Sequence, residues 1–109
     1  MARRDTVDLD FEKSGGVIPA IIQDADSGEV LTLFYMDEEA LAKTREERVV
    51  WRFSRAEQRL MRKGDTSGNV LHVETIAYDC DGDALVVRVH AVGPACHTGE
   101  RTCFHNPIE

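Results

Sequence analysis

The chain has 109 residues, of which 42% are hydrophobic and 30% are charged. These proportions are typical of one folded globular domain and exclude a disordered chain. The formal net charge of −7 argues against general nucleic-acid binding, because neutralising phosphates requires a basic surface. No apolar run approaches the ~20 residues of a membrane-spanning helix. The first residues lack an apolar signal core, so we expect a cytoplasmic protein without a membrane or nucleic-acid partner.

The N-terminal third is predicted to hold an arm and a β-hairpin. Residues 1–14 carry several acidic side chains among few apolar ones and are expected to form a flexible or loosely docked arm, followed by one domain over 15–109. The apolar run 17–23 predicts a strand near a sheet edge, because Pro19 has no amide hydrogen to donate. Turn residues at 24–28 and an apolar run at 29–36 predict the return strand.

Asp37 is typical of a helix N-cap, and a helix is expected over 38–47 with Ala40, Leu41 and Thr44 on one face. Residues 49–54 predict a strand, whereas 55–63 fit a short helix and a strand equally well. The segment 64–69 predicts a loop.

The C-terminal part is predicted to hold a long hairpin followed by a tail without periodicity. Its strands cover 70–78, where the alternation slips and indicates a bulge, and 85–92. The predicted elements are about six strands and one or two helices, which is an α+β fold, mostly β.

All three cysteines, Cys80, Cys96 and Cys103, lie in the last thirty residues, and His97 follows Cys96. An odd number cannot pair fully within one chain, and without a secretory signal the thiols stay reduced. Structural zinc sites normally have four protein ligands, whereas three ligands and an open position are typical of catalytic zinc. The alternative is three buried free thiols. His97 is the best acid–base candidate because it lies inside this cluster.

Two further clusters carry charge. Asp79, Asp81 and Asp83 alternate in the turn of the long hairpin and suit a hard cation such as Mg²⁺, although an ordinary Asp-Gly turn is the commoner explanation. The stretch 52–63 holds five basic residues and runs into the Gly/Ser/Thr loop 64–69. In an acidic protein this combination indicates a site for a phosphorylated small molecule, the alternative being a solvated charged face.

Three segments together resemble the phosphoribosyl-AMP cyclohydrolase family. They read DCDGDAL over 79–85, GPACHTG over 93–99 and TCF over 102–104. Upstream, VIPAIIQD over 17–24, YMD over 35–37, and Lys63-Gly64 with TSGN over 66–69 match as well. The resemblance covers roughly 15–104.

This resemblance implies hydrolysis of the N1–C6 bond of the adenine ring of 1-(5-phosphoribosyl)-AMP, the third step of histidine biosynthesis. It implies two twisted antiparallel sheets, arranged as a pseudo-barrel or sandwich, in an intertwined homodimer. One zinc per subunit would be held by Cys80 of one subunit with Cys96 and Cys103 of the partner subunit. One Mg²⁺ per subunit would be held by Asp79, Asp81 and Asp83 near the substrate's phosphates.

Further roles follow from the same resemblance. His97 would move a proton near a zinc-activated water. The candidate substrate contacts are Ser54, Arg55, Lys63, Thr66 and Ser67.

The chain departs from the family pattern at Ala56, Glu57, Met61, Asp65 and Leu71. Glu57 reverses a charge and Met61 replaces a Trp, so a second hypothesis is a hydrolase of the same fold that acts on another phosphorylated purine. A third is a structural-zinc interaction module without catalysis, which would show four protein ligands and no open position.

Overall fold

The computed structural model describes residues 9–13 and 15–109, so residues 1–8 and 14 of the expected arm lie outside the described part. The elements in chain order are β1 (Ile18–Asp24), β2 (Val30–Met36), α1 (Glu38–Glu47), β3 (Trp51–Ser54), β4 (Arg59–Arg62), β5 (Leu71–Tyr78) and β6 (Leu85–Ala91). The predicted α+β fold, mostly β with two sheets, is confirmed. The described residues contain no helix long and apolar enough to cross a membrane.

The larger sheet has four strands in the order β2-β1-β6-β5. The β1–β2 and β5–β6 pairs are antiparallel, but β1 and β6 run parallel, with Ala20 opposite Leu85 and Asp24 opposite Val89. The expected antiparallel sheet is therefore wrong for this central pair. A parallel pair needs a long crossover, and residues 25–84 provide it.

Pro19 also corrects an expectation, because β1 is a central strand and not an edge strand. Pairing with β6 begins at Ala20, so Pro19 has only Tyr35 of β2 opposite it. The missing amide hydrogen thus falls just outside the parallel ladder, where no partner strand needs it.

Helix α1 forms where the N-cap signal predicts it. The Asp37 carboxylate accepts a hydrogen bond from the Ala40 amide at 2.8 Å, and Glu38 and Glu39 follow in the first turn, where the helix dipole favours negative charge. The helix ends at Arg48, which adopts a left-handed conformation and donates its amide to the Thr44 carbonyl. Ala40, Leu41 and Thr44 are buried, as expected.

The undecided segment 55–63 is a turn followed by β4, which pairs antiparallel with β3 in a two-stranded sheet. The Ser54 hydroxyl accepts the Glu57 amide at 3.1 Å, and Gln58 takes a positive φ of 54°. These local contacts close the turn between the two strands.

The core lies on one face of the four-stranded sheet. Ile18, Ala20 and Ile22 of β1 alternate inward, as do the β6 residues Leu85 and Val87, and all are at most 2% exposed. The β5–β6 hairpin carries the expected bulge, between Val73 and Thr75. In the described part of the arm, Leu9 and Phe11 pack against this core.

Candidate functional site

A cleft of about 420 Å³ lies beside the two-stranded sheet, where three segments distant in sequence meet. Strands β3 and β4 form one border, the loop 64–69 a second, and the turn 96–99 a third. The predicted substrate contacts Lys63, Thr66 and Ser67 therefore share one cleft with Cys96 and His97.

Glycines fix the loop that borders this cleft. Gly64 has a φ of +90°, and a Cβ there would lie 2.6 Å from the Val70 amide nitrogen. A side chain on Gly93 would overlap the Asn69 side chain, so the loop packs directly against the start of the 93–99 segment. This close approach brings the hydroxyls of the loop to the cysteine-containing turn.

Four basic residues line the cleft, and two of them have acidic partners. Arg59 pairs with Glu57 at 2.9 Å, and Arg62 pairs with Asp65 at 3.1 Å. For the two others, Arg52 and Lys63, the described residues supply no carboxylate partner. In a chain with a net charge of −7, this local excess of positive charge makes the cleft suitable for an anion.

Cys96 and Cys103 lie side by side and interact through their thiols. The Thr98 hydroxyl donates to the buried Cys96 sulfur at 3.0 Å. This hydrogen bond, followed by that of the Thr98 amide, lowers the pKa of Cys96 to about 6. Burial raises the pKa of Cys103, while a hydrogen bond with Thr32 and the charge of Lys63 oppose that rise.

Backbone hydrogen bonds hold the two thiols in place. The Cys96 amide donates to the Glu100 carbonyl at 3.2 Å, and the Cys103 amide donates to the Leu31 carbonyl of β2 at 2.7 Å. Arg101 adds ion pairs with Glu29 and Asp24 at the β1–β2 turn. The thiolate of Cys96 and the neighbouring Cys103 sulfur are suitable ligands for a zinc ion.

Cys80 lies apart, exposed in the turn between β5 and β6. Within the described part of the chain, no grouping of three metal-binding side chains includes a cysteine. One chain therefore brings together two of the three predicted zinc ligands and leaves the third at a separate surface.

The predicted magnesium ligands do come together. Oxygen atoms of Asp79, Asp81 and Asp83 lie within 4.8 Å of one another. The Asp79 carboxylate also accepts the Asp83 amide at 3.0 Å, which fixes the turn. The Lys13 ammonium lies 2.9 Å from Asp83 and 3.5 Å from Asp81, and these contacts raise the pKa of Lys13. The Lys13 ammonium group thus contacts two of the three carboxylates, those of Asp81 and Asp83.

Ser54 and Arg55 do not line the cleft. Ser54 is buried and caps the β3–β4 turn, and the Arg55 guanidinium lies 3.8 Å from the centroid of the Tyr35 ring. Among the departures from the family pattern, Met61 and Asp65 line the cleft, whereas Glu57 lies outside it in the turn.

Sequence reasoning missed two contributors to these sites. Thr98 was noted only as part of a motif, and Lys13 lay in the expected arm. Arg52 belongs to the basic stretch expected to bind a phosphorylated molecule, although it was not singled out as a substrate contact. The position of Thr98 two residues after Cys96 was a local signal, but no sequence signal places Lys13 beside a turn near residue 81.

The chain is similar in sequence to known proteins over most of its length. The family model described as phosphoribosyl-AMP cyclohydrolase matches residues 32–105. A phosphoribosyl-AMP cyclohydrolase of Nitrosopumilus maritimus is 50% identical over 102 residues, covering 94% of each chain. One from Clostridium botulinum (strain 657 / Type Ba4) is 52% identical over 101 residues, covering 93% of this chain and 92% of the relative. The histidine biosynthesis bifunctional protein HisIE of Photobacterium profundum is 52% identical over 93% of this chain and 49% of its own length. The chain therefore belongs to the phosphoribosyl-AMP cyclohydrolase family.

Proposed function

We propose that this chain hydrolyses the N1–C6 bond of the adenine ring of 1-(5-phosphoribosyl)-AMP, the third step of histidine biosynthesis. Family membership supports the reaction. The observation that carries the proposal is one cleft combining basic residues and hydroxyls with Cys96 and His97. Water adds its oxygen to C6, the N1–C6 bond breaks, and N1 takes a proton.

Zinc is the metal that the thiols fit. Cys96 already favours the thiolate form through its Thr98 hydrogen bonds, and Cys103 lies beside it. With Cys80 of the partner subunit as the third ligand, the set would leave one position open, as in catalytic zinc sites. When bound, zinc lowers the pKa of a water molecule to about 7 and so supplies a nucleophile at neutral pH. The thiols must stay reduced, which is why a cytoplasmic location belongs to this proposal.

His97 is the proposed proton carrier. It is exposed, lines the cleft and follows Cys96 directly in the chain. An imidazole ring has one nitrogen that can accept a proton and one that can donate a proton, so it can accept a proton from water and donate one to N1 as the bond breaks. Lys63, Thr66 and Ser67 border the same cleft and would bind phosphate oxygens. Ser54 and Arg55 would support the adjoining turn.

Mg²⁺ fits the three aspartates, since carboxylate oxygens are its preferred protein ligands. The Lys13 ammonium, 2.9 Å from Asp83, supports this proposal because a positive group already lies beside the carboxylates. A magnesium ion held there would offset the negative charge of the substrate's phosphates.

A homodimer explains the separation of Cys80 from the other thiols. Leu33, Ile21, Val86 and Ala77 lie in register across the four strands, on the face opposite the core. These four residues are called the apolar row. Leu33 is 39% exposed, and the apolar row offers a surface for a second copy of the chain.

The first experiment measures turnover of phosphoribosyl-AMP by the purified protein. Treatment with a strong chelator should abolish activity and zinc should restore it, whereas Cys103→Ala should lose both zinc and activity. Full turnover by metal-free Cys103→Ala would refute the zinc mechanism.

A complementation experiment tests whether the zinc site is shared. Cys80→Ala and Cys103→Ala are each inactive by this proposal, but a mixed dimer holds one intact site. Co-refolding equal amounts should therefore restore about a quarter of wild-type activity, since half of the dimers are mixed. If all three ligands came from one chain, mixing would restore nothing.

A second candidate is hydrolysis of another phosphorylated purine by the same site. The observation in its favour is Met61, which lines the cleft. Assays of several purine nucleotides beside phosphoribosyl-AMP decide between the substrates.

X-ray absorption that found four protein donors and no water at zinc would instead favour a structural-zinc module.

A further inference from the structure

Arg52 is a basic residue of the cleft whose charge is not neutralised by a carboxylate among the residues that the structure describes. It is half-buried on β3 and pairs in register with Met61 of β4. Arg59 and Arg62 border the same cleft, but each already pairs with an acidic residue. Lys63 is the other basic residue of the cleft without a carboxylate partner among the described residues. Arg52 is thus the arginine of the cleft whose N–H donors have no carboxylate partner among the described residues.

Packing orients the Arg52 side chain. Its guanidinium lies 5.3 Å from the centroid of the Phe34 ring, and one Nη atom lies 3.6 Å from the Met61 sulfur. The ring restrains the cation without using its in-plane N–H donors, and a thioether is only a weak acceptor. A guanidinium that is restrained and still has free donors is well suited to bind a phosphate through two parallel hydrogen bonds.

We infer that Arg52 binds a phosphate group of the nucleotide substrate and, with Lys63, forms the phosphate-binding part of the cleft. This inference rests on the proposed function for the identity of the substrate, although the chemistry applies to any nucleotide monophosphate. Arg52 binds the phosphate throughout the reaction and does not contact the bond that breaks. Its loss should therefore raise KM and leave kcat nearly unchanged.

The test compares AMP with adenosine, which differ only by the phosphate. Each is titrated calorimetrically into the full chain, as wild type and as Arg52→Gln. We expect AMP to bind about tenfold or more weakly to Arg52→Gln, since hydrogen bonds to charged groups contribute strongly, while adenosine binding stays unchanged. Arg52→Lys keeps the charge and should recover part of the AMP affinity. Arg45→Gln, on the exposed surface of α1, removes the same charge outside the cleft and is the control.

The outcomes separate this inference from the proposed function. Equal AMP affinity in wild type and Arg52→Gln, or an equal loss for AMP and adenosine, would overturn the role of Arg52. If wild type fails to hydrolyse phosphoribosyl-AMP but Arg52→Gln still loses AMP affinity selectively, the proposed reaction fails and the phosphate site stands. A rise in KM with constant kcat for Arg52→Gln on phosphoribosyl-AMP would support both.

Discussion

At the scale of single residues, the position of His90 between two carboxylates predicts a pH-dependent contribution to stability. Its ring hydrogen-bonds to Glu74 and lies 3.6 Å from Asp26, and these partners, Glu74 first, raise the pKa of His90. Because the folded pKa exceeds the unfolded value of about 6.5, the stabilisation is complete below that value and is lost as the pH rises through the folded pKa.

Glu74→Gln should therefore lower the melting temperature more at about pH 5.5 than at about pH 8.5, because only the charged imidazole needs the carboxylate. Thermal unfolding at both pH values measures this difference. Glu46→Gln, exposed on α1, provides the control for removal of one negative charge. The same loss at both pH values would show that the His90 charge contributes nothing.

Lys13 gives a second prediction at this scale. Its ammonium contacts Asp81 and Asp83, which are proposed magnesium ligands, so it should compete with the metal. Lys13→Met should lower the Kd for Mg²⁺ roughly three- to tenfold, as expected for the loss of two exposed ion pairs. Calorimetric titration with Mg²⁺ measures the change.

The matched control for Lys13 is Lys43→Met. Lys43 lies 5.0 Å from the centroid of the Trp51 ring, away from the aspartates, and its loss changes the net charge equally. An equal change in both variants would indicate a general charge effect instead of competition. An unchanged Kd for Mg²⁺ in Lys13→Met would show that the Lys13 ammonium does not compete with the metal.

At the scale of elements, the loop 64–69 depends on its first glycine. Gly64 and Gly68 both have a positive φ, of +90° and +80°, but only at Gly64 would a Cβ meet backbone, 2.6 Å from the Val70 nitrogen. Gly68→Ala should therefore cost about 1 kcal/mol from backbone strain, and Gly64→Ala about 3 kcal/mol from strain and overlap. Urea unfolding of the two variants measures the difference, and equal losses would contradict it.

Elements set by local chemistry were predictable from the sequence. Asp37 fixed the start of α1 because capping depends on the next three residues. The segment 55–63 stayed undecided because its strand exists only through pairing with β3, as in the contact of Arg52 with Met61. The parallel pairing of β1 with β6 was missed for the same reason, since strand partners far apart in sequence leave no local pattern.

At the scale of the whole molecule, the apolar row predicts where two chains meet. Leu33→Lys would place a charge in the proposed interface, at the β2 end of the apolar row, and should weaken the dimer at least about tenfold. Activity should fall with it, because Cys80 would no longer reach its partner thiols. Val92→Lys, at a 61% exposed residue outside the row, is the control. Analytical ultracentrifugation measures the dissociation, and an unaffected dimer would place the interface elsewhere.

The sequence by itself determined the chemistry: three thiols, three alternating carboxylates, a histidine beside Cys96, a basic stretch and the family to which these motifs belong. Residue types and short spacings are properties of the linear chain, so they can be read from it directly. Only the tertiary structure decided which of these groups meet. It joined Lys63, Thr66 and Ser67 to Cys96 and His97, separated Cys80 from the other thiols, and placed Lys13 against Asp83. These contacts depend on strand pairing and packing between residues far apart in the chain, which side-chain chemistry alone does not specify.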